Sequence, residues 1–300
     1  MTSTLTAHLR VFEPHPGILA FYDGRVPGQR FMPGPNWVDA GALSLGIASY
    51  AIISGDQALV YDTHVTLSHA MAIRAALVRR GVTRITVVLS HWHKDHIAGT
   101  AAFADCPVIA TRKTAAHMAT RKAGIESGLI RPPAINPLIL PDITYDGALY
   151  LTVGAFEVQL IEVNIHSDDA TVLWLPQIGV LLAGDTVEDC CTFVAEPENL
   201  DLHLAGLDRL IALDALCILP NHGAPDQIAA GGYEAAILFA TQTYIRWLQH
   251  AAFDSGLAQL TLDQVIADDL RAGILHWFEP YAEIHRLNVH SVVAAAVASD

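Results

Sequence analysis

The period of the apolar positions changes several times along the chain, and each change marks an element. Residues 47–53 (IASYAII) and 57–61 (QALVY) are β-branched or aromatic runs parted by Ser-Gly-Asp, which predicts a hairpin. Over 67–80 apolar residues recur at helical spacing until Gly81 stops them, and a strand is predicted over 85–89. A helix over 97–103 and a short strand over 107–110 would complete a β-turn-α-β pattern. Further on, LYLTV, FEVQLIEV, ATVLWL and GVLLAG read as short strands broken by Gly and Pro, a second sheet. Helical spacing returns over 202–213, LCIL is a strand that ends at Pro220-Asn221-His222-Gly223, and the remainder is mostly helical. Strands and helices thus occur in two similar halves, which predicts an α/β fold with two sheets packed between outer helices. No linker divides the chain, so residues 1–300 are expected to form a single domain.

Two stretches depart from this rhythm. Residues 23–46 are dense in Gly and Pro (GRVPGQRFMPGPNW) and too long for an ordinary connection, which makes them a candidate lid or contact arm. Residues 112–147 are a second candidate lid; they hold five basic residues against Glu126, Asp142 and Asp146, in a chain of formal charge −14. Arg112, Lys113, Arg121, Lys122 and Arg131 could select an anionic substrate, although a solvated helix face explains them as well.

Composition narrows the class. Hydrophobic residues make up 52% and charged residues 16%, a balance that argues for a filled core and against disorder. The apolar stretches are interrupted by Gly, Ser, Asn or His and fall short of a bilayer span, and the N-terminus has no secretory pattern, so a cytoplasmic location is expected. The negative charge argues against a nucleic-acid partner. Cys106, Cys190, Cys191 and Cys217 have no disulfide or metal-knuckle spacing and read as buried thiols.

The chemistry concentrates in His91-Trp92-His93-Lys94-Asp95-His96, between an apolar strand and a helix. His91 and His93, as alternate residues of an extended segment, face the same way, while Asp95 and His96 open the helix and face a neighbouring position. That arrangement can serve two metals about 3.5–4 Å apart. Imidazole and carboxylate donors suit zinc, and also iron or manganese. Further ligands are expected where other strands end: His166 after LIEVNI, Asp185 after VLLAG and His222 after LCILPN.

These motifs, with Asp62 in VYDTH, follow one another as they do in the metallo-β-lactamase superfamily, which the chain resembles over roughly residues 45–225. The resemblance implies a four-layer αββα sandwich of two mixed sheets. It implies that His91, His93 and His166 hold one metal and Asp95, His96 and His222 the other, with Asp185 bridging and Asp62 fixing a ligand from behind. Asp95 and Asp185 would then be the catalytic carboxylates, around two zinc ions whose bridging hydroxide attacks a small-molecule substrate. Asp185 stands where true metallo-β-lactamases usually carry a non-bridging cysteine or serine, which disfavours β-lactam hydrolysis. A flavodiiron-type oxidase would have glutamate in place of His93.

A lactone or ester is the expected substrate, with thioester, phosphoester or β-lactam hydrolysis as further alternatives. A different class is a mononuclear iron enzyme resembling persulfide dioxygenases, using His91, His166 and Asp185. Tyr233 and Tyr244 are expected to pack helices, with substrate contact as the alternative. Trp92 is expected to pack its turn. His64, His69, His117, His203, His250, His276, His285 and His290 are expected to be structural. The C-terminal helical part, 231–298, could roof the site or bury against a second subunit, which leaves a homodimer open.

Overall fold

The computed structural model of the chain describes residues 4–299. One sheet of seven strands follows chain order: β1 (Arg10–His15), β2 (Ile18–Asp23), β3 (Ile47–Ser54), β4 (Gln57–Tyr61), β5 (Arg84–Val88), β6 (Val108–Thr111) and β7 (Ile143–Tyr145). Pairing is antiparallel from β1 to β4 and parallel from β4 to β7. The parallel half needs crossovers, and α1 (Leu67–Arg79), α2 (Lys94–Ile97) and α3 (Arg112–Glu126) lie on them. A second sheet of five strands has the order β12-β11-β10-β9-β8, built from β8 (Ala148–Val153), β9 (Phe156–Glu162), β10 (Thr171–Leu175), β11 (Val180–Gly184) and β12 (Cys217–Pro220). Only its β11–β12 pair is parallel. The helices α4 (Leu200–Ile211), α5 (Pro225–Ala229), α6 (Ala236–Ala251), α7 (Leu262–Val265), α8 (Ala267–Arg271) and α9 (Tyr281–Ser299) come from the second half.

The layers follow from side-chain alternation. Every residue of β2 is buried, so it shows no apolar–polar alternation, as expected of a strand covered on both faces. Its Ile18, Ala20 and Tyr22 join the cluster that includes Leu160 and Leu173 of the second sheet, together with Leu207 of α4 and Leu248 of α6. Its Leu19 and Phe21 join Ile73 and Leu77 of α1 and Met118 and Ile125 of α3. Two mixed sheets with helices outside make the expected αββα sandwich.

Three local expectations are corrected. Instead of one helix over 97–103 there is a single α-turn, α2, and a separate tight turn at Thr100–Phe103. Gly99 lies between them because a Cβ there would meet the Thr63 carbonyl oxygen at 2.2 Å. The β1–β2 hairpin has no counterpart in the sequence reading. β1 is an edge strand with an alternating, half-exposed pattern that tolerates Pro14, which disguises it. The segment 112–147 is not wholly a lid: its first part is α3, capped by Thr111 and packed on the sheet, and its last part includes β7.

Candidate metal centre

The parallel strands and the strand ends beside them gather one edge of the sandwich into a polar floor. Asp62 follows β4, His91 to His96 follow β5, His166 lies between β9 and β10, Asp185 follows β11 and His222 follows β12. Asp62 and His166 adopt left-handed backbone, at φ +66° and +69°. Such conformations cost a non-glycine residue about 1–3 kcal/mol and persist where surrounding contacts hold them. His93 has extended backbone at the N-cap of α2, so the chain turns sharply between His93 and Asp95.

Seven side chains meet there. His91 Nε2 and His166 Nε2 each lie 2.9 Å from His93 Nδ1. On the other side, His222 Nε2 lies 3.4 Å from an Asp95 oxygen and His96 Nε2 lies 3.7 Å from the other. Asp185 Oδ2 stands between the groups, 3.0 Å from His96, 3.5 Å from His222, and 3.7 Å from both His91 and His166. All seven residues expected from the sequence are therefore together.

The outward nitrogens explain why the inward ones converge. His166 Nδ1 donates to the Phe193 carbonyl at 3.0 Å and His222 Nδ1 to the Gly46 carbonyl at 2.7 Å. A carbonyl can only accept, so both rings carry a proton on Nδ1, and Nε2 is the atom turned inward. His96 Nδ1 is 2.9 Å from Asp62 Oδ2, and His91 Nδ1 is 2.9 Å from Ser90 Oγ. Asp62 is fully buried and also accepts from Ser90 N and Asn221 Nδ2.

Three imidazole nitrogens facing one another cannot all be paired by their own protons, and the buried Asp185 Oδ1 has no hydrogen-bond partner. Shared cations would resolve both defects. Among the described residues, the groups His91–His93–His166, His91–His96–Asp185 and Asp95–His96–His222 each bring their ligand atoms within 4.8 Å.

Titration agrees with that need. Burial holds His91 and His93 below the ordinary imidazole range and His166 at about 3, so these rings are neutral and ready to donate lone pairs. Burial opposes ionisation of Asp95 and Asp185 as well, yet His96 and His222 beside them keep both carboxyls below their usual range. The same carboxylates, against burial, raise His96 and His222 well above the usual imidazole value. The floor thus demands positive charge, from protons on two rings or from metal ions competing for the same atoms.

The floor opens into a cavity of about 350 Å³. Trp37, Leu45, Trp92, Ile130, Phe193 and Leu287 wall it, so the arm, the second loop and α9 all reach the site. Glu188, absent from the sequence reading, also lines it. Burial, with Asp185 nearby, pushes its pKa up to about 7, and Tyr281 Oη and Phe193 N donate to it. Tyr233 and Tyr244 do not line the cavity. Tyr233 is not on a helix; it bridges Asp189 and Ala224 N, whereas Tyr244 on α6 meets His285 and Asn288. None of the eight histidines expected to be structural joins the floor; His117 instead pairs with Asp168, and His276 with Asp189. Of the basic residues of α3, Arg112 pairs with Asp146, Lys113 with Glu162 and Lys122 with Glu126, while Arg121 lies over Trp92, a wall of the cavity.

Residues 44–222 match the metallo-beta-lactamase superfamily model, and the chain belongs to that superfamily. It is 26% identical over 183 residues to a Caenorhabditis elegans protein named beta-lactamase-like protein 2 homolog, covering 59% of this chain and 56% of the relative. It is 26% identical over 139 residues to the hydroxyacylglutathione hydrolase of Brucella ovis, covering 46% of this chain and 48% of that enzyme. The chain thus spans about half the length of these curated relatives. Among solved structures, a metallo-beta-lactamase from Pontibacter korlensis superposes with a TM-score of 0.60 at 16% identity, covering 79% of this chain and 99% of that one. The DIM-1 metallo-beta-lactamase gives 0.59 at 19% identity, covering 80% and 97%. At these identities the structures share the fold. No described helix is long and apolar enough to cross a membrane.

Proposed function

We propose that the chain is a binuclear metal-dependent hydrolase of a small-molecule lactone or ester. One observation carries the reading: a single carboxylate oxygen, Asp185 Oδ2, lies within 3.7 Å of four imidazole nitrogens that belong to two ligand groups. His91, His93 and His166 would hold one ion, Asp95, His96 and His222 the other, and Asp185 would be shared. The all-imidazole and carboxylate donor set suits zinc, with iron or manganese as the other fits. Two such ions supply water ionised near neutral pH and an electrophile for the substrate oxygen.

The chain's own residues do the rest. Asp62, Ser90 and the carbonyls of Gly46 and Phe193 hold the tautomers that keep Nε2 facing inward. Asp95 and Asp185, held ionised, orient the attacking water and accept its hydrogen bonds. The apolar walls shelter the reacting carbonyl from bulk water.

The test is metal content by mass spectrometry with a panel of lactones, aryl esters, thioesters and phosphoesters. Near two zinc ions per chain are expected, with lactone or ester turnover that disappears in Asp185→Ala. One iron per chain with oxygen uptake and no hydrolysis would instead favour a mononuclear dioxygenase on His91, His166 and Asp185.

A further inference from the structure

Lys94 lies between His93 and Asp95, and its side chain leaves the floor for the rim. Its Nζ donates to the carbonyls of Ile130 at 2.7 Å and Arg131 at 2.8 Å and sits 5.0 Å above the Trp37 ring centroid. Trp37 closes the figure: its backbone N–H donates to Pro132 O at 3.2 Å and its indole Nε1 to Pro133 O at 3.0 Å. Three segments distant in sequence, the arm, the histidine motif and the 130–133 loop, are therefore tied at one point. Trp37, Lys94, Ile130 and Arg131 all line the cavity above the floor.

An ammonium group has three donors. Two of those on Lys94 are taken by backbone carbonyls, and its charge faces an indole, which attracts a cation over its ring face. The charge is used inside the protein rather than offered to a substrate anion. What the tie offers the cavity is an apolar wall, Trp37 and Ile130, facing Leu45, Phe193 and Leu287. The loop cannot retreat while Lys94 holds it, because Lys94 begins α2 between His93 and Asp95.

We propose that Lys94 is a specificity-determining positioning residue: it pins 130–133 against Trp37 and so limits the substrate to esters or lactones bearing a compact apolar group. The choice of ester or lactone rests on the function proposed above, whereas the pinning of the loop does not.

The test combines two readouts on the metal-loaded protein. Amide hydrogen exchange in a peptide covering 128–135 should rise at least fivefold in Lys94→Met. Trp37→Phe keeps the ring but loses the indole donor, and should loosen the same peptide by a smaller factor. In steady-state kinetics on an ester series of rising acyl bulk, wild type should favour the compact members at least tenfold in kcat/KM. Lys94→Met should raise KM for the compact members about tenfold, change kcat less than threefold, and bring the bulky-to-compact ratio close to one, with metal content unchanged. Unchanged exchange in 128–135 overturns the proposal. An equal loss of kcat on compact and bulky esters, or loss of metal, also overturns it by assigning Lys94 to the chemistry or the motif. Absence of any ester or lactone turnover in wild type refutes the hydrolase reading, and the exchange data still decide the latch.

Discussion

At the scale of single residues, the fold treats its histidines in two opposite ways. On the floor, His91, His96, His166 and His222 have their outward Nδ1 hydrogen-bonded and turn Nε2 toward the place a cation would take. His203 on α4 is fully buried with neither ring nitrogen hydrogen-bonded. Burial lowers its pKa to about 4. The unfolded chain takes up a proton near pH 6.5 and the native one near 4, so this residue's contribution is present above 6.5 and is lost as pH falls through 4. The 2.5-unit gap corresponds to about 3 kcal/mol, fully lost by pH 4. His203→Leu should remove that slope, and the unpartnered nitrogens with it. Denaturant melts at pH 7, 5.5 and 4.5 should show the variant's advantage widening toward acid; a constant gap would contradict the assignment.

At the scale of elements, the site depends on loops that follow strands and on contacts holding each loop at the right height. The turn before β3 illustrates this. Gly46 has φ +77°, its carbonyl accepts from His222, and a Cβ on it would lie 1.9 Å from Tyr22 Oη. Tyr22 in turn donates to Gly223 O, beside His222. Gly46→Ala should therefore act twice, straining a left-handed position and pushing Tyr22 against the loop that carries His222. We expect a stability loss of about 2–4 kcal/mol and selective weakening of the ion held by Asp95, His96 and His222. Metal titration should then show one tight site where two are expected for wild type.

At the scale of the whole molecule, the candidate centre joins the two sheets. His91, His93, Asp95 and His96 extend from β5 of the seven-stranded sheet, while His166, Asp185 and His222 belong to loops of the five-stranded one. Each ion bound by the native arrangement alone would stabilise it by about 4 kcal/mol at a thousandfold excess over Kd. At about 2 °C per kcal/mol for a large domain, chelation should lower Tm on the order of 8 °C for each ion removed. Calorimetry with and without chelator measures this directly. The same Asp185→Ala variant should have a lower Tm that no longer responds to chelator.

The sequence by itself determined nine of the twelve described strands, the seven clustered residues and Asp62, because each of those residues sits where an apolar run stops and strand ends must leave the core. A short string such as HWHKDH also carries its geometry locally, through strand and helix periodicity. Tertiary structure alone decided the rest. The β1–β2 hairpin was hidden because an edge strand needs only half an apolar face. Glu188, Lys94 and Trp37 act through partners far away in sequence, so no spacing rule reveals that an acid is buried beside the floor or that a lysine ammonium is taken by two carbonyls and an indole. The arm, the 130–133 loop and α9 became walls of one cavity only when the sandwich closed and brought their apolar side chains out of water together.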